Sequence, residues 1–148
     1  MGMEIRPFVE ADTEVVVAIW ERCGLLRPWN DPRRDIARKL KVQRELFLVG
    51  EDAGAIVAVV MASYDGHRGW INYVGVDPDH QRRGYGRAIV CDAERRLREI
   101  GCPKINLQVR RDNPGAAEFY AGLGYEEYYV RDFGKWLERD GEKPPAKR

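Results

Sequence analysis

Arginine and glycine residues lie close together between Gln81 and Arg87, where the chain reads Gln-Arg-Arg-Gly-Tyr-Gly-Arg. An apolar run typical of a β-strand precedes them, and a helical pattern to about Ile100 follows. The first amides of a helix lack intrahelical acceptors and carry partial positive charge, so they attract phosphate. Glycines allow a ligand close to the backbone, and arginines add cationic donors. This spacing predicts a pyrophosphate site.

Two common phosphate-binding motifs do not fit this stretch. A Walker loop ends in Gly-Lys-Ser/Thr, which does not occur here. A dinucleotide fingerprint needs a third glycine where Ile89 stands, and it needs a tighter turn after the strand. An ordinary glycine-rich turn before a helix is the alternative that involves no ligand.

The stretch resembles Gln/Arg-x-x-Gly-x-Gly/Ala, the acetyl-CoA motif of the GNAT superfamily of N-acetyltransferases. Gln81, Gly84 and Gly86 fill its positions, and Val76-x-Pro78 precedes it as in many members. The resemblance implies acetyl-CoA as cosubstrate. The residues implied to bind it are Val74, Val76, Gln81, Arg82, Arg83, Gly84, Tyr85, Gly86, Arg87, Asn113 and Tyr120.

A second motif begins at Asn113, seven residues before Tyr120, so both side chains lie on one face of a helix. With Gly124-Tyr125 it resembles the family's Asn-x-x-Ala-x-x-x-Tyr-x-x-x-Gly-Phe/Tyr. The resemblance implies that Asn113 holds the pantetheine arm and that Tyr120 faces the thioester sulfur. A tyrosine of pKa near 10 can donate a hydrogen bond or a proton to a departing thiolate. We therefore predict Tyr120 as the general acid; packing beside Phe119 is the alternative.

Gly75 interrupts a β-branched strand, which often marks a bulge or a close backbone approach. The resemblance implies that this strand diverges from the fifth one. The backbone of Val74 and Val76 would then pair with the pantetheine amides, as an added strand does.

The general base is not assigned by the sequence. Deprotonating an amine of pKa near 10 costs about 4 kcal/mol at pH 7. Many relatives place a glutamate on the fourth or fifth strand for this step, but Trp70 and Gln108 stand at those positions here. A water relay past Tyr73 and backbone carbonyls is one option. The side-chain candidates are Asp65, His67, Glu126 and Glu127; for the first two, plain turn chemistry is the alternative.

The loop from Leu26 to Pro32 corresponds to a wall of the acceptor site in relatives. Arg27 or Arg68 could bind a carboxylate, and Asp65 could hold a cationic amine. A solvated loop with Trp29 in the core is the alternative. The predicted acceptor pocket contains Arg27, Trp29, Asn30, Tyr64, Asp65 and Tyr73.

Length and composition predict one domain. The 148 residues carry a net charge of +1, so no global field favours nucleic acid, and no run is long enough for a membrane span. Cys23, Cys91 and Cys102 form no metal or disulfide pattern, and the two histidines are not spaced as metal ligands. We therefore expect a cytoplasmic protein without a metal.

The elements read β-α-α-β-β-β-α-β-α-β-β, which matches the GNAT architecture. The prediction is an α+β fold with a mixed, mostly antiparallel sheet of about seven strands and four helices. The last two strands are predicted at Tyr125 to Val130 and Asp132 to Leu137. The single domain is expected to span residues 1–148, with a core at about 3–137 and a flexible tail at 138–148.

These features favour an acetyl-CoA-dependent N-acetyltransferase in which a primary amine attacks directly in a ternary complex. The acceptor is either a protein N-terminal amine or a small-molecule amine. A non-catalytic acyl-CoA sensor or scaffold is the second hypothesis, because the two family glutamates are missing. A nucleic-acid or membrane partner has no support, and the protein is expected to be a monomer or a homodimer.

Overall fold

A computed structural model describes residues 2–144 as an α+β fold built on one five-stranded sheet. The strands lie in the order β1-β2-β3-β4-β5, and all neighbours are antiparallel except the parallel pair β4–β5. Their bounds are Glu4–Pro7 (β1), Phe47–Asp52 (β2), Ala55–Tyr64 (β3), Gly69–Val76 (β4) and Ile105–Asn106 (β5).

Four α-helices flank the sheet: Thr13–Arg22 (α1), Pro32–Lys39 (α2), Tyr85–Glu99 (α3) and Pro114–Gly122 (α4). Two of them begin with the same device. The Asp31 carboxylate accepts hydrogen bonds from the first amides of α2, and the Asn113 side chain accepts from Ala116 N in α4. Proline follows each cap, where its missing N–H is not needed.

The sheet carries a hydrophobic core on each face. Alternate residues of the buried strand β3 point to opposite sides, so Val59 and Met61 join one cluster and Ala58 and Val60 join the other. α1 and α2 cover the first face through residues such as Trp20 and the fully buried Val16. α3 covers the second face, and the apolar side of α4 packs beside it.

Strands β4 and β5 pair over only two positions, Gly69 with Ile105 and Trp70 with Asn106. β4 then continues along β3 to Val76, while the chain after Asn106 leaves the sheet. The register of β3 and β4 shifts near Tyr73, whose φ is 54°. This bulge and the divergence leave one edge of β4 open from Ile71 onward.

The structure has five strands where the sequence predicts seven. The segments 125–130 and 132–137 form no strand, and Tyr129, Phe133 and Leu137 are almost fully exposed. An alternating pattern folds as a strand only when one face is buried, and neither segment finds such a face within the described residues. β5 is only two residues long, because β4 pairs with it over just two positions.

Helix α2 ends at Lys39. Leu40 is its C-terminal cap, and Gln43 adopts a left-handed φ of 52°, which a helix cannot contain. The Gln43 side chain then bonds both backbone groups of Tyr64, tying this turn to the end of β3.

The chain beyond Glu138, predicted as a flexible tail, makes defined contacts as far as Glu142. Asp140 accepts two hydrogen bonds from Arg38 of α2, at 2.6 and 2.7 Å, and its side chain is only 2% exposed. Glu142 N donates to Pro28 O in the loop before α2. Residues 145–148 of that predicted tail lie outside the described residues.

Across residues 2–144, none of the helices has the length and apolar character needed to cross a membrane.

Candidate active site

The loop that joins β4 to α3 presents a row of backbone amides. Asp77 caps the short turn Pro78–His80 by accepting from Asp79 N. The chain then passes through two left-handed positions, Arg82 at φ 66° and Gly84 at φ 79°, before the helix begins. Within residues 2–144, the amides from Gln81 to Arg87 donate to no acceptor. They can therefore donate to an anionic ligand.

Charged side chains surround this row of amides. Arg82, Arg83 and Arg87 are all exposed to solvent. Arg83 lies 3.8 Å from Asp52 at the end of β2, and the Tyr85 hydroxyl donates a hydrogen bond to the same carboxylate. Cationic donors thus lie beside the open amides, while Asp52 anchors the first residue of α3.

The two glycines of the motif have different structural roles. Gly84 supplies the left-handed conformation that an L-residue adopts only with strain. A Cβ on Gly86 would lie 3.4 Å from the Phe119 ring and 3.5 Å from Val76. Gly86 therefore lets α3 pack closely on α4 and β4, and its missing side chain faces the protein interior and not a ligand.

Side chains at the end of α1 hold the open edge of β4 in position. Trp20 Nε1 donates to Tyr73 O at 3.1 Å, and the Trp20 and Tyr73 rings stack with centroids 4.0 Å apart. The Val76 carbonyl already accepts from Cys23 Sγ and Gln81 Nε2, each at 3.1 Å. A Cβ on Gly75 would meet Ile19 at 3.4 Å, so this glycine allows α1 to approach. The bulge lies two residues earlier, at Tyr73.

Tyr120 of α4 is half-buried against the second core cluster. Its ring contacts Phe119 and Tyr125 edge to face, at centroid distances of 5.0 and 5.6 Å. Burial raises the pKa of Tyr120 to about 12. Its hydroxyl has no hydrogen-bond partner in the described part of the chain. Asn113 uses its carbonyl oxygen to cap α4, which leaves its NH₂ group for a ligand.

The four predicted base candidates lie in two places, the β3–β4 turn and the chain after α4. Asp65 accepts from the amides of Arg68 and His67, at 2.7 and 2.8 Å, and these bonds hold the pKa of Asp65 below its usual value. That carboxylate and the exposed His67 lie in the β3–β4 turn, at the start of β4. Glu126 and Glu127 are exposed after α4. Their assignment as bases stays a prediction.

Trp70 and Gln108 stand at the two positions where the resemblance implies a glutamate, and each has a defined partner. Gln108 Nε2 donates to Asp132 at 2.6 Å. Trp70 lies on the paired part of β4, opposite Asn106.

The predicted acceptor residues fall into two groups. Asn30 and Tyr73 line an open cavity of about 440 Å³ between α2 and the β3–β4 face. The Arg27 guanidinium donates hydrogen bonds to the carbonyls of Gly24 and Leu26. The central carbon of the Arg110 guanidinium lies 5.9 Å from the centre of the Trp29 ring. The other two predicted residues, Tyr64 and Asp65, belong to the β3–β4 turn.

Sequence reasoning missed three charged residues in this cavity: Asp35, Arg38 and Lys39. Asp35 and Lys39 are four residues apart, directly beside the inward residues Ile36 and Leu40. That helical spacing is the signal that could have placed both on the inner side of α2.

Comparison with known proteins places this site in a family. The model of the acetyltransferase (GNAT) family matches residues 13–125, which include both motifs. The chain belongs to the GNAT family of acetyltransferases. It is 50% identical over 140 residues to an acetyltransferase of Yersinia enterocolitica, covering 95% of this chain and 99% of that protein.

Solved structures show the same fold. Ard1 from Thermoplasma volcanium superposes with a TM-score of 0.73 at 28% identity, over 84% of this chain and 82% of that one. The ribosomal-protein-S18-alanine N-acetyltransferase of Escherichia coli gives a TM-score of 0.73 at 23% identity, over 88% and 81%. The GNAT fold and the class, an acetyltransferase, are thus as the sequence predicts.

In the described region, no group of three or more His, Cys, Asp or Glu side chains is arranged to hold a metal ion.

Proposed function

We propose that this protein transfers the acetyl group of acetyl-CoA to a primary amine by direct attack in a ternary complex. The observation that carries the proposal is the row of acceptor-free amides from Gln81 to Arg87, next to the open edge of β4. Those amides and the neighbouring arginines suit a diphosphate. The Val76 carbonyl already has two donors, so we expect the pantetheine arm to pair with the backbone at Val74.

Acetyl-CoA, when bound, would supply the thioester that the amine attacks. Tyr120 would donate a hydrogen bond to the sulfur as the C–S bond breaks. With a pKa of about 12, Tyr120 stays protonated near neutral pH. We therefore assign Tyr120 the role of hydrogen-bond and proton donor to the departing thiolate.

Direct attack fits the state of Cys23, which contacts the end of β4. Burial raises the pKa of its thiol, which donates to Val76 O. A neutral thiol is a poor nucleophile, so an acetyl intermediate on Cys23 has no support here. The acceptor is either a protein N-terminal amine or a small molecule, and the cytoplasmic location stays a prediction.

A second candidate function is an acyl-CoA sensor without turnover. It is favoured by Trp70 and Gln108 at the positions implied for family glutamates, since neither side chain can remove a proton. Both functions require acetyl-CoA binding, and only the enzyme requires amine acetylation.

Tyr120→Phe tests the enzymatic function. We expect the rate of amine acetylation to fall by roughly 100-fold, because a positioned acid or donor contributes at least that much. The Kd for acetyl-CoA, measured by calorimetry, should change little. Acetylated products from an amine library are quantified by mass spectrometry. The matched control is Tyr128→Phe, which removes the hydroxyl of an exposed tyrosine and should keep full activity.

Three outcomes are informative. Loss of turnover with intact acetyl-CoA binding supports the enzyme. Tight binding without acetylation of any amine by the wild type favours the sensor. Absence of acetyl-CoA binding contradicts both functions.

A further inference from the structure

The cavity between α2 and the sheet lies beside the open edge of β4. Tyr73 joins the two places, because its backbone forms the bulge in β4 and its side chain lines the cavity. Stacking on Trp20 and the bond from Trp20 Nε1 to Tyr73 O hold it in position. Only the Tyr73 side chain therefore separates a molecule in the cavity from the open edge of β4.

Asp35 provides a negative group in this cavity. Its carboxylate accepts from the Tyr73 hydroxyl at 2.6 Å and is 25% exposed, so one side is available to a ligand. The nearest cation, Arg38, lies 3.8 Å away and is bound by both oxygens of Asp140. Burial raises the pKa of Asp35, the Tyr73 hydrogen bond opposes this rise, and the Asp140 carboxylate adds to it.

Lys39 provides a buried positive group on the same helix, one turn further on. The residue is 7% exposed, and its Nζ atom has no hydrogen-bond partner in the described part of the chain. Glu45 acts on it only at a distance, and burial lowers the pKa of Lys39 to about 8. The group is thus still charged near neutral pH, and a buried ammonium without an acceptor is unfavourable. Its flexible stem, which lines the cavity, allows it to turn toward a bound anion.

We propose that this cavity is the acceptor site and that it takes a compact zwitterion: an amine bound by Asp35 with Tyr73, and a carboxylate bound by Lys39. The inference rests on the proposed acetyl transfer for its chemistry. It narrows the acceptor from amines in general to small amino carboxylates. The two charged groups are offset by one helical turn, so they select the spacing between amine and carboxylate as well as their charges.

A homologous series of acceptors tests this inference. The series runs from glycine through β-alanine and 4-aminobutyrate to 6-aminohexanoate, each compared with the alkylamine that lacks the carboxylate. At the best chain length we expect kcat/KM to favour the amino carboxylate by about 10-fold to 100-fold, the range for one charge-assisted hydrogen bond. Calorimetric binding to the protein without acetyl-CoA should show the same order.

Two variants separate the roles of the charged groups. Lys39→Met should bring the ratio of kcat/KM between each amino carboxylate and its matching alkylamine close to one. It should still fold, since an apolar chain of similar length replaces a buried ammonium; urea denaturation checks this. Asp35→Asn should lower kcat/KM by about 10-fold or more for both the amino carboxylate and the matching alkylamine. The control is Lys41→Met, an exposed lysine beyond the end of α2, which should keep the wild-type preference.

The inference is overturned if the wild type shows no preference for amino carboxylates at any chain length. It is also overturned if Lys39→Met keeps the wild-type preference. Acetylation of amines without such a preference leaves the proposed function intact. If the protein binds amino carboxylates in a Lys39-dependent way but does not bind acetyl-CoA, the proposed acetyl transfer is contradicted. The cavity would then still be a binding site for amino carboxylates.

Discussion

Arg82 and Gly84 turn the backbone through two left-handed positions, and this turn points the amides before α3 outward. Nothing lies within 4 Å of a Cβ built on Gly84, so the chain needs glycine there for its φ of 79° and not for space. The phosphate-binding character of the loop thus depends on one backbone conformation.

Gly84→Ala should lower the free energy of unfolding by roughly 1–2 kcal/mol, the cost of a left-handed L-residue. It should also weaken acetyl-CoA binding, because the amides relax from their positions. Urea denaturation and calorimetry measure the two effects. Gly54→Ala is the matched control: its φ is 83° with open space around it, but it lies in the β2–β3 hairpin. Equal loss of affinity in both variants would contradict a local role of Gly84.

Prediction from the sequence succeeds at residue scale where a residue belongs to a local pattern. The positions of Gln81 and Gly84 before a helix follow from spacing. Asp35 and Lys39 could not be assigned in this way, because charged residues on a short helix are typically solvated. Their burial depends on the tertiary packing of α2 against β3 and β4.

At the scale of elements, the contact between α3, β4 and β5 is tight at Gly69. A Cβ on this residue would lie 2.7 Å from Cys102 Sγ and 3.3 Å from Ile105. These contacts fall at the first of the two β4–β5 pairs. The divergence of the two strands therefore starts from a closely packed point.

Gly69→Ala should destabilise the fold by about 1–3 kcal/mol through overpacking. Cys102→Ala removes the nearest atom, so the double variant should recover much of that loss. A double-mutant cycle by urea denaturation measures the coupling between the two sites. If the losses in free energy of unfolding add, Cys102 Sγ is not the atom that clashes with the new Cβ at position 69.

The sequence predicts all four helices and the first four strands, because their apolar periodicity is long and their caps are local. It fails for the two predicted closing strands at 125–137, where alternation was present but residues 2–144 offer no partner strand or buried face. It also cannot show how short β5 is. That length depends on the direction of β4 after Trp70, which is a property of the whole sheet.

On the scale of the whole molecule, Arg6 and Asp12 tie the first strand to the start of α1. Asp12 accepts two hydrogen bonds from Arg6, at 2.8 and 3.0 Å, and one from Val9 N at 2.9 Å. Its side chain is 8% exposed. The hydrogen bonds from Arg6 hold the pKa of Asp12 below its ordinary value despite burial.

A lowered folded pKa means that Asp12 stabilises the protein above its unfolded pKa, near 3.9. That contribution is lost as the pH falls through the folded value. Asp12→Asn should therefore lower the free energy of unfolding at pH 7, by about 1–2 kcal/mol, and this difference should shrink in acid. Urea denaturation at pH 7 and pH 3 checks it. Glu10→Gln, at an exposed pair with Arg44, should have no measurable effect. A pH-independent difference for Asp12→Asn would contradict the assignment.

Cys91 lies on α3 and is exposed to solvent. Chromogenic disulfide reagents, which are widely used to follow the release of coenzyme A, would therefore label the protein as well as the product. Each protein molecule would then contribute a burst of colour that resembles a first turnover. A Cys91→Ser background removes this artefact before any slow acceptor is ranked by colour.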